Sequence, residues 1–458
     1  MNKFQRHLRS VTTTGAVGLG LALLAGCNVK DELLAPQQPG VISPGDVGSP
    51  IGAEGLYNGA VGNFKNSLIG GSGNTETIWQ FAGLFTDEFR SSDTFSQRND
   101  ADQRTTQTTD QQLSPIYTSL QTARGSSRTA LTYLRQFEPT TSNAHQAEMF
   151  FTIAFTEMQL AEDFCDGIAL GETVNGLPVY TAPLATKDVL AAALTRADSG
   201  LALATGTDAG TVAVRNALLI TKGRLQVDLG QYAAAAATVG PVPVAYQYAA
   251  AFSQTTNDNG WWIMTTSTKR YSVGDSADAT GTIKNALPFV SAKDPRVPTT
   301  RNGTGFDSTT PYFGQGIWNR DDPIAIANGL DGQLVQAEAK LNTGDFAGMT
   351  AILNTLRATP PIQGIFTPTG TLVPLTTPAT KTDATSLFFR EKAFWTFGRG
   401  QRLGDLRRQV RQYGRTIDQV YPTGAFFKNG TYGPLMFFPV PDRDKANPQF
   451  TGCLDQTP

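Results

Sequence analysis

Three adjacent acid pairs, Asp87-Glu88, Glu162-Asp163 and Asp321-Asp322, are the residues of this sequence best suited to acid–base chemistry. Hydrolysis of a glycoside needs two carboxyl groups on opposite sides of one sugar bond, which sequence neighbours do not supply by themselves. Solvated or helix-capping roles are the expectation for all three pairs. Histidine chemistry is poorly supplied, because His7 and His145 are the only histidines, too few for a histidine-based zinc site, and a His-dependent triad is little better served. The chain has no phosphate loop, zinc-protease signature or G-x-S-x-G elbow. Asp321-Asp322 lacks the ligand-rich loop that calcium requires. No catalytic residue, metal or cofactor is therefore expected.

The aromatic residues make a better case for binding. A pyranose offers apolar C–H faces that stack on aromatic rings, and its hydroxyls suit planar polar partners such as Asn, Asp and Arg; peptides suit the same mixture. Residues 90–99 carry Arg90, Phe95, Arg98 and Asn99, and Trp318-Asn319-Arg320-Asp321 has similar chemistry. Trp261, Trp262, Tyr271, Tyr312 and Phe313 lie in the same turn-rich stretch as Trp318, with Trp261-Trp262 read as a short strand, one ring inward and one outward. The candidate ligand contacts are Arg90, Phe95, Asn99, Trp261, Trp262, Tyr271, Tyr312, Trp318 and Asn319, although a single tryptophan more often fills a core than forms a platform.

These residues need a scaffold, and apolar periodicity predicts a helical one. Leu56, Ala60, Phe64 and Leu68 recur at four-residue steps over 53–68. A polar loop over 91–112 precedes a long helix starting after Pro115, whose expected partner spans 145–164 with Met149, Ile153, Leu160 and Phe164 on its stripe. Residues 187–203, 213–229 and the alanine-rich 232–239 follow, with Gly230 as a helix stop, and the same helix, glycine turn and helix recur around Gly344-Asp345. This is a mainly α, tetratricopeptide-like helical-repeat scaffold with irregular insertions, the largest at about 241–328. A loop over 359–382 contains five prolines. Residues 390–413 read as one helix whose Arg390, Glu391, Arg402, Asp405, Arg407 and Arg408 form ion pairs along its length.

The amino terminus sets the expected compartment. Lys3, Arg6 and Arg9 precede an apolar stretch over 17–25, and Leu24-Ala25-Gly26-Cys27 is a lipobox. Residues 1–26 are thus expected to be a cleaved signal, Cys27 the lipidation site, and 27–50 a tether carrying Pro36, Pro39, Pro44 and Pro50. One domain would span 51–458. Loss of the signal removes three of 37 Lys+Arg and none of 39 Asp+Glu, leaving 34 against 39, a net charge of −5. That excludes a strongly basic binder of nucleic acid. Cys165 and Cys453 remain, either bonded, as an exported pair tends to be, or two separate buried thiols.

Several phrases, in order, resemble the SusD/RagB family: Asp294-Pro295-Arg296; the helix-turn-helix over 334–357; Arg390-Glu391-Lys392-Ala393-Phe394 with Gly400-Gln401-Arg402-Leu403-Gly404-Asp405-Leu406-Arg407-Arg408; and Phe438-Pro439-Val440-Pro441 before Asn447-Pro448. Lys30-Asp31-Glu32 resembles a surface-export tag. The resemblance implies a lipid-anchored protein on the outer face of the outer membrane that binds an oligosaccharide or other oligomer. It also implies a role as the lid of a SusC-like TonB-dependent transporter, without breaking a bond. A surface hydrolase of glycans or peptides is the alternative.

Overall fold

The short helix Ile78–Phe85 (α2) is buried at all eight positions, so its apolar residues run right round the axis and no stripe betrays it. It sits beside α1 (Pro50–Ile69), where Ser49 Oγ accepts from the Gly52 amide at 3.1 Å and Pro50 occupies the first turn. The structure, a computed structural model, describes residues 48–73, 76–138, 143–174 and 177–454. The signal, Cys27 and nearly all of the tether lie outside the described residues. Residues from Gly48 onward form one compact unit.

The region 91–112 is not purely loop, because it holds α3 (Ser96–Asp102). Helix α4 (Leu113–Phe137) starts before Pro115: Asp110 Oδ1 accepts from the Gln112 and Leu113 amides at 2.7 and 2.9 Å, and a proline is tolerated in a first turn. Helix α5 (Asn143–Asp163) packs on α4 and is buried from Gln146 to Asp163, which makes it the axis of the molecule. Helices α6 (Thr186–Leu203), α7 (Ala209–Asp228) and α8 (Tyr232–Val239) continue the stack.

Two helical pairs end their first helix identically. After α7, Gly230 has φ 74°, its amide donates to Val227 O, and Gln231 N donates to Gln226 O. After α10 (Gly329–Asn342), Gly344 has φ 80°, donates to Leu341 O, and Asp345 N donates to Lys340 O before α11 (Phe346–Ala358). Both are Schellman stops that turn the chain back on itself, and α8 and α10 pack together. The fold is mainly α, with tetratricopeptide-like pairs.

The insertion over 241–328 is more ordered than its turn residues suggest. Gln247–Ala250 pairs with Ile324–Asn328, Thr299–Thr304 with Pro311–Gln315, and Tyr271–Val273 with Phe89–Ser91, all antiparallel. The expected Trp261-Trp262 strand is instead a helical turn, Gly260–Trp262 (α9), running into a π-helical turn over Ile263–Ser267 and capped by Asn259. The single late helix is also corrected. It is two, α12 (Lys381–Trp395) and α13 (Arg402–Arg411). Gly398 and Gly400 break it with φ 67° and 64°, and a Cβ on Gly400 would lie 2.0 Å from Trp79 Cδ1.

The late charged residues therefore pair across elements as well as along one. Arg296 joins Asp294 to Glu391, which Arg357 also reaches at 2.8 Å. Arg408 pairs with Glu338, Asp405 and Asp228. The Asp-Pro-Arg and Arg-Glu-Lys phrases thus meet in space as a buried brace between α11, α12 and the insertion.

Candidate ligand-binding surface

Most of the expected platform residues are core. Trp261 is fully buried, stacked on Phe89 at 4.2 Å and on Trp318 at 6.0 Å, with its Nε1 donating to Gly398 O at 2.9 Å. Tyr271 is also fully buried and its hydroxyl donates to Glu76; Tyr312, equally enclosed, donates to Thr265 O at 2.6 Å. Trp261, Tyr271, Tyr312 and Trp318 have their rings covered by protein and offer a ligand no platform, which corrects their assignment as contacts. The helical turn explains this, because it carries Trp261 inward and leaves only Trp262 half-buried, beneath the Arg320 guanidinium at 5.3 Å. Asn319 is exposed, but its amide and Nδ2 both donate to Asp322 Oδ2, at 2.8 and 2.9 Å, closing a turn. Arg90 is buried, with Nη2 donating to Asp275 O and Ala277 O at 3.3 and 3.4 Å, and Asn99 Oδ1 accepts from Ser91 Oγ at 2.7 Å.

Among the expected contacts Phe95 is a large apolar ring that remains on the surface, 46% exposed, and Phe306 is 47% exposed. The two rings belong to one construction centred on Asp93. Asp93 Oδ1 accepts from the Thr94 and Phe95 amides at 2.6 and 3.1 Å, which fixes the entry to α3. Asp93 Oδ2 accepts from Arg98 Nη1 and Arg270 Nη1 at 2.6 Å each. The Arg98 guanidinium lies under the Phe95 ring at 5.1 Å, and that of Arg270 against the Phe306 ring at 3.8 Å. Glu76 takes the remaining side of Arg98 through Nε and Nη2 at 2.7 and 3.0 Å.

The backbone brings these groups together. Pairing of Ser91 with Tyr271 and the 2.9 Å bond from Ser92 N to Arg270 O place Asp93 beside Arg270. Phe306 N donates to Lys269 O and Asp307 N to Ser92 O, both at 3.0 Å. Gly305 permits that approach, since its Cβ would lie 2.2 Å from Ser92 Cβ. Lys428 closes the far side, with Nζ 2.5 Å from Asp93 O and 2.7 Å from Asp307 Oδ2, next to the half-buried Phe427 ring. Burial alone would raise the Asp93 carboxyl, but the Arg270 hydrogen bond and Arg98 charge hold it below the ordinary carboxylate range. Asp307 is likewise opposed by burial yet falls to about 2 under the bonds from Lys428 and Thr310. Sequence reasoning missed Asp93, Arg270, Phe306, Asp307 and Lys428 as site residues. The available signal was Phe306 itself, a large apolar residue inside the turn run Gly303 to Thr310.

Two of the three acid pairs are not solvated. Asp87, Glu88, Glu162 and Asp163 are all buried, a correction to the expected surface or capping roles. Burial pushes Asp87 up to about 6, Glu88 to about 7 and Asp163 to about 8. Glu88 accepts from Gly398 N at 3.0 Å and Glu162 is held by Arg224 at 2.9 Å, so both serve the packing of α13 and its neighbours. Asp322 is the capping member of the third pair. Among the described residues no group of three or more His, Cys, Asp and Glu is placed to hold a metal ion.

Cys165 and Cys453 are bonded to each other across 288 residues. Open hollows of about 540 and 450 Å³ both reach Cys453, the first lined also by Asn447 and Phe450 and the second by Pro434 and Phe437.

Solved structures share this architecture. A SusD-like protein from Bacteroides fragilis superposes with a TM-score of 0.62 at 12% identity, covering 89% of this chain and 98% of its own. A SusD superfamily protein from Parabacteroides distasonis gives 0.61 at 16% identity, covering 88% and 98%. The chain has the SusD-like fold. A second Bacteroides fragilis structure, described as a SusD-like carbohydrate binding protein, gives 0.61 at 12% identity over 87% and 99%. No family model matches the sequence and no curated protein matches it. On this SusD-like fold, the Phe95–Phe306 surface is built from the entry to α3, the turn between two paired strands and the loop around Lys428.

Proposed function

We propose that this protein is a cell-surface glycan-binding lipoprotein of the SusD/RagB type, which captures an oligosaccharide on the Phe95–Phe306 surface without breaking a bond. The observation that carries the reading is a pair of half-exposed phenyl rings, each backed by a guanidinium that a buried carboxylate fixes in place. Rings held in this way lose little freedom on binding, so stacking against a sugar face is not offset by ordering costs. The likeness to a fold that includes carbohydrate binding proteins supports the same reading. Burial of the Asp87-Glu88 and Glu162-Asp163 pairs argues against the hydrolase alternative, since none of these carboxyls reaches a surface where a sugar bond would lie.

The lipobox supports acylation of the mature protein at Cys27, and the resemblance to the SusD/RagB family supports the outer face of the outer membrane as its site and a SusC-like TonB-dependent barrel as its partner. Affinity electrophoresis through gels containing soluble polysaccharides, with intact peptides as a parallel arm, tests capture. Retardation by a glycan is expected, whereas binding of peptides alone, or release of reducing ends, would sink the reading. Detergent extraction followed by pull-down should recover a large β-barrel, and labelled palmitate should enter the wild type but not Cys27→Ser.

A further inference from the structure

The same surface is rich in paired charges. Three cations are ion-paired there, Arg98, Arg270 and Lys428, and three carboxylates answer them, Glu76, Asp93 and Asp307. Arg98 has all three nitrogens committed, to Glu76 twice and to Asp93 once. Arg270 gives Nη1 to Asp93, and Lys428 binds both Asp93 O and Asp307. The carboxylates lie deeper than two of the cations they neutralise, with Asp93 side-chain exposure 0% against 22% for Arg270, and Asp307 7% against 18% for Lys428.

A site meant for uronate, sulfate or phosphate groups would hold guanidinium forks open toward solvent. Here the Arg98 fork is fully occupied from beneath and Arg270 gives Nη1 to Asp93, so what faces outward is phenyl carbon and the remaining N–H donors of Arg270. Resting on the glycan reading above, we infer that this surface selects uncharged oligosaccharides and that Asp93 is the specificity residue that excludes anionic ones. An incoming carboxylate would meet Asp93 and Asp307 as well as the cations these already neutralise, which leaves little to repay its desolvation. A neutral sugar needs no such repayment. It stacks on Phe95 or Phe306 and takes hydrogen bonds from the N–H groups of Arg270 that Asp93 leaves over.

The experiment is affinity electrophoresis at low ionic strength against amylopectin, laminarin and xyloglucan as neutral probes and polygalacturonate and chondroitin sulfate as acidic ones. The wild type is expected to be retarded by at least one neutral polymer and by neither acidic one. Asp93→Asn, which keeps an acceptor for the Thr94 and Phe95 amides, leaves Arg270 in surplus and should gain up to about fivefold in affinity for polygalacturonate. That gain should vanish at high salt. Asp307→Asn, which frees Lys428 instead, provides the same readout if Asp93→Asn does not fold. Retardation of the wild type by acidic polymers as strongly as by neutral ones would overturn the inference alone. A failure of both variants to gain would do the same. Binding to no polymer at all would overturn it together with the capture reading on which it rests.

Discussion

Arg98 and Arg270 each place a terminal nitrogen 2.6 Å from the same atom, Asp93 Oδ2, although 172 positions separate them in the chain. One carboxylate thus orients two guanidiniums, and each guanidinium backs one exposed phenyl ring. The surface formed by Phe95 and Phe306 is therefore only as ordered as Asp93, and the measurable consequences follow from which side chains form that surface and which lie beneath it.

Phe95→Ala and Phe306→Ala should each weaken retention by a neutral glycan by roughly 5- to 30-fold, about 1–2 kcal/mol of stacking and burial. Because both rings are about half exposed, Tm should move by no more than about 2 °C. Affinity electrophoresis beside calorimetry makes the check. A large fall in Tm with unchanged retention would show the rings to be structural.

Trp261→Ala should behave in the opposite way. Its ring lies between Phe89 and Trp318 with no exposed surface, so truncation should cost about 3–5 kcal/mol in urea denaturation. Any loss of binding should track the unfolded fraction, and Trp262→Ala should cost far less stability.

Glu88 gives stability a distinct pH dependence. Its folded carboxyl titrates near 7, while the unfolded one titrates near the ordinary 4.5. Between those values the folded state holds a proton that the unfolded state has released, so stability from this group is full below about 4.5 and is lost as pH rises toward 7. Glu88→Gln keeps an acceptor for Gly398 N and should remove that slope. The stability of the variant relative to wild type should rise by roughly 2–3 kcal/mol between pH 4.5 and 7.5 in urea titrations. A pH-independent difference would show that Glu88 stays ionised in its site.

Loss of the Cys165–Cys453 bond should cost about 2–4 kcal/mol, because it closes a loop of 288 residues. Cys453→Ser should also speed proteolysis of the carboxyl-terminal segment, where Leu454 N is tied to Asp166 O beside the bond. Alkylation of unreduced protein should leave the mass of this pair unchanged, and uptake of label at either cysteine would contradict the bond.

Helical organisation was largely legible because its causes are local. Gly230 and Gly344 stop their helices through backbone conformations available at glycine, and the four-residue stripes of α1 and α4 are visible in any window. Helix α2 was not legible, since a helix buried on every face has no stripe. The break at Gly398 and Gly400 was not either, because it is enforced by Trp79 and Trp318 from distant parts of the chain.

Residue type and spacing, with no structure, determined the helical scaffold, the expected lipidation of Cys27 and the poverty of catalytic constellations. Tertiary structure alone decided which aromatics face solvent, which acids are buried and which charged side chains meet beneath Phe95 and Phe306. Trp261 and Trp262 are neighbours in sequence, yet only packing by Phe89 and Trp318 makes the first a core residue. Asp93, Arg270 and Lys428 have no shared pattern, and their meeting depends on Ser91 pairing with Tyr271 and on a turn folding back past Ser92. Burial and charge pairing are properties of what surrounds a residue, and a linear sequence specifies those surroundings only once the chain has closed on itself.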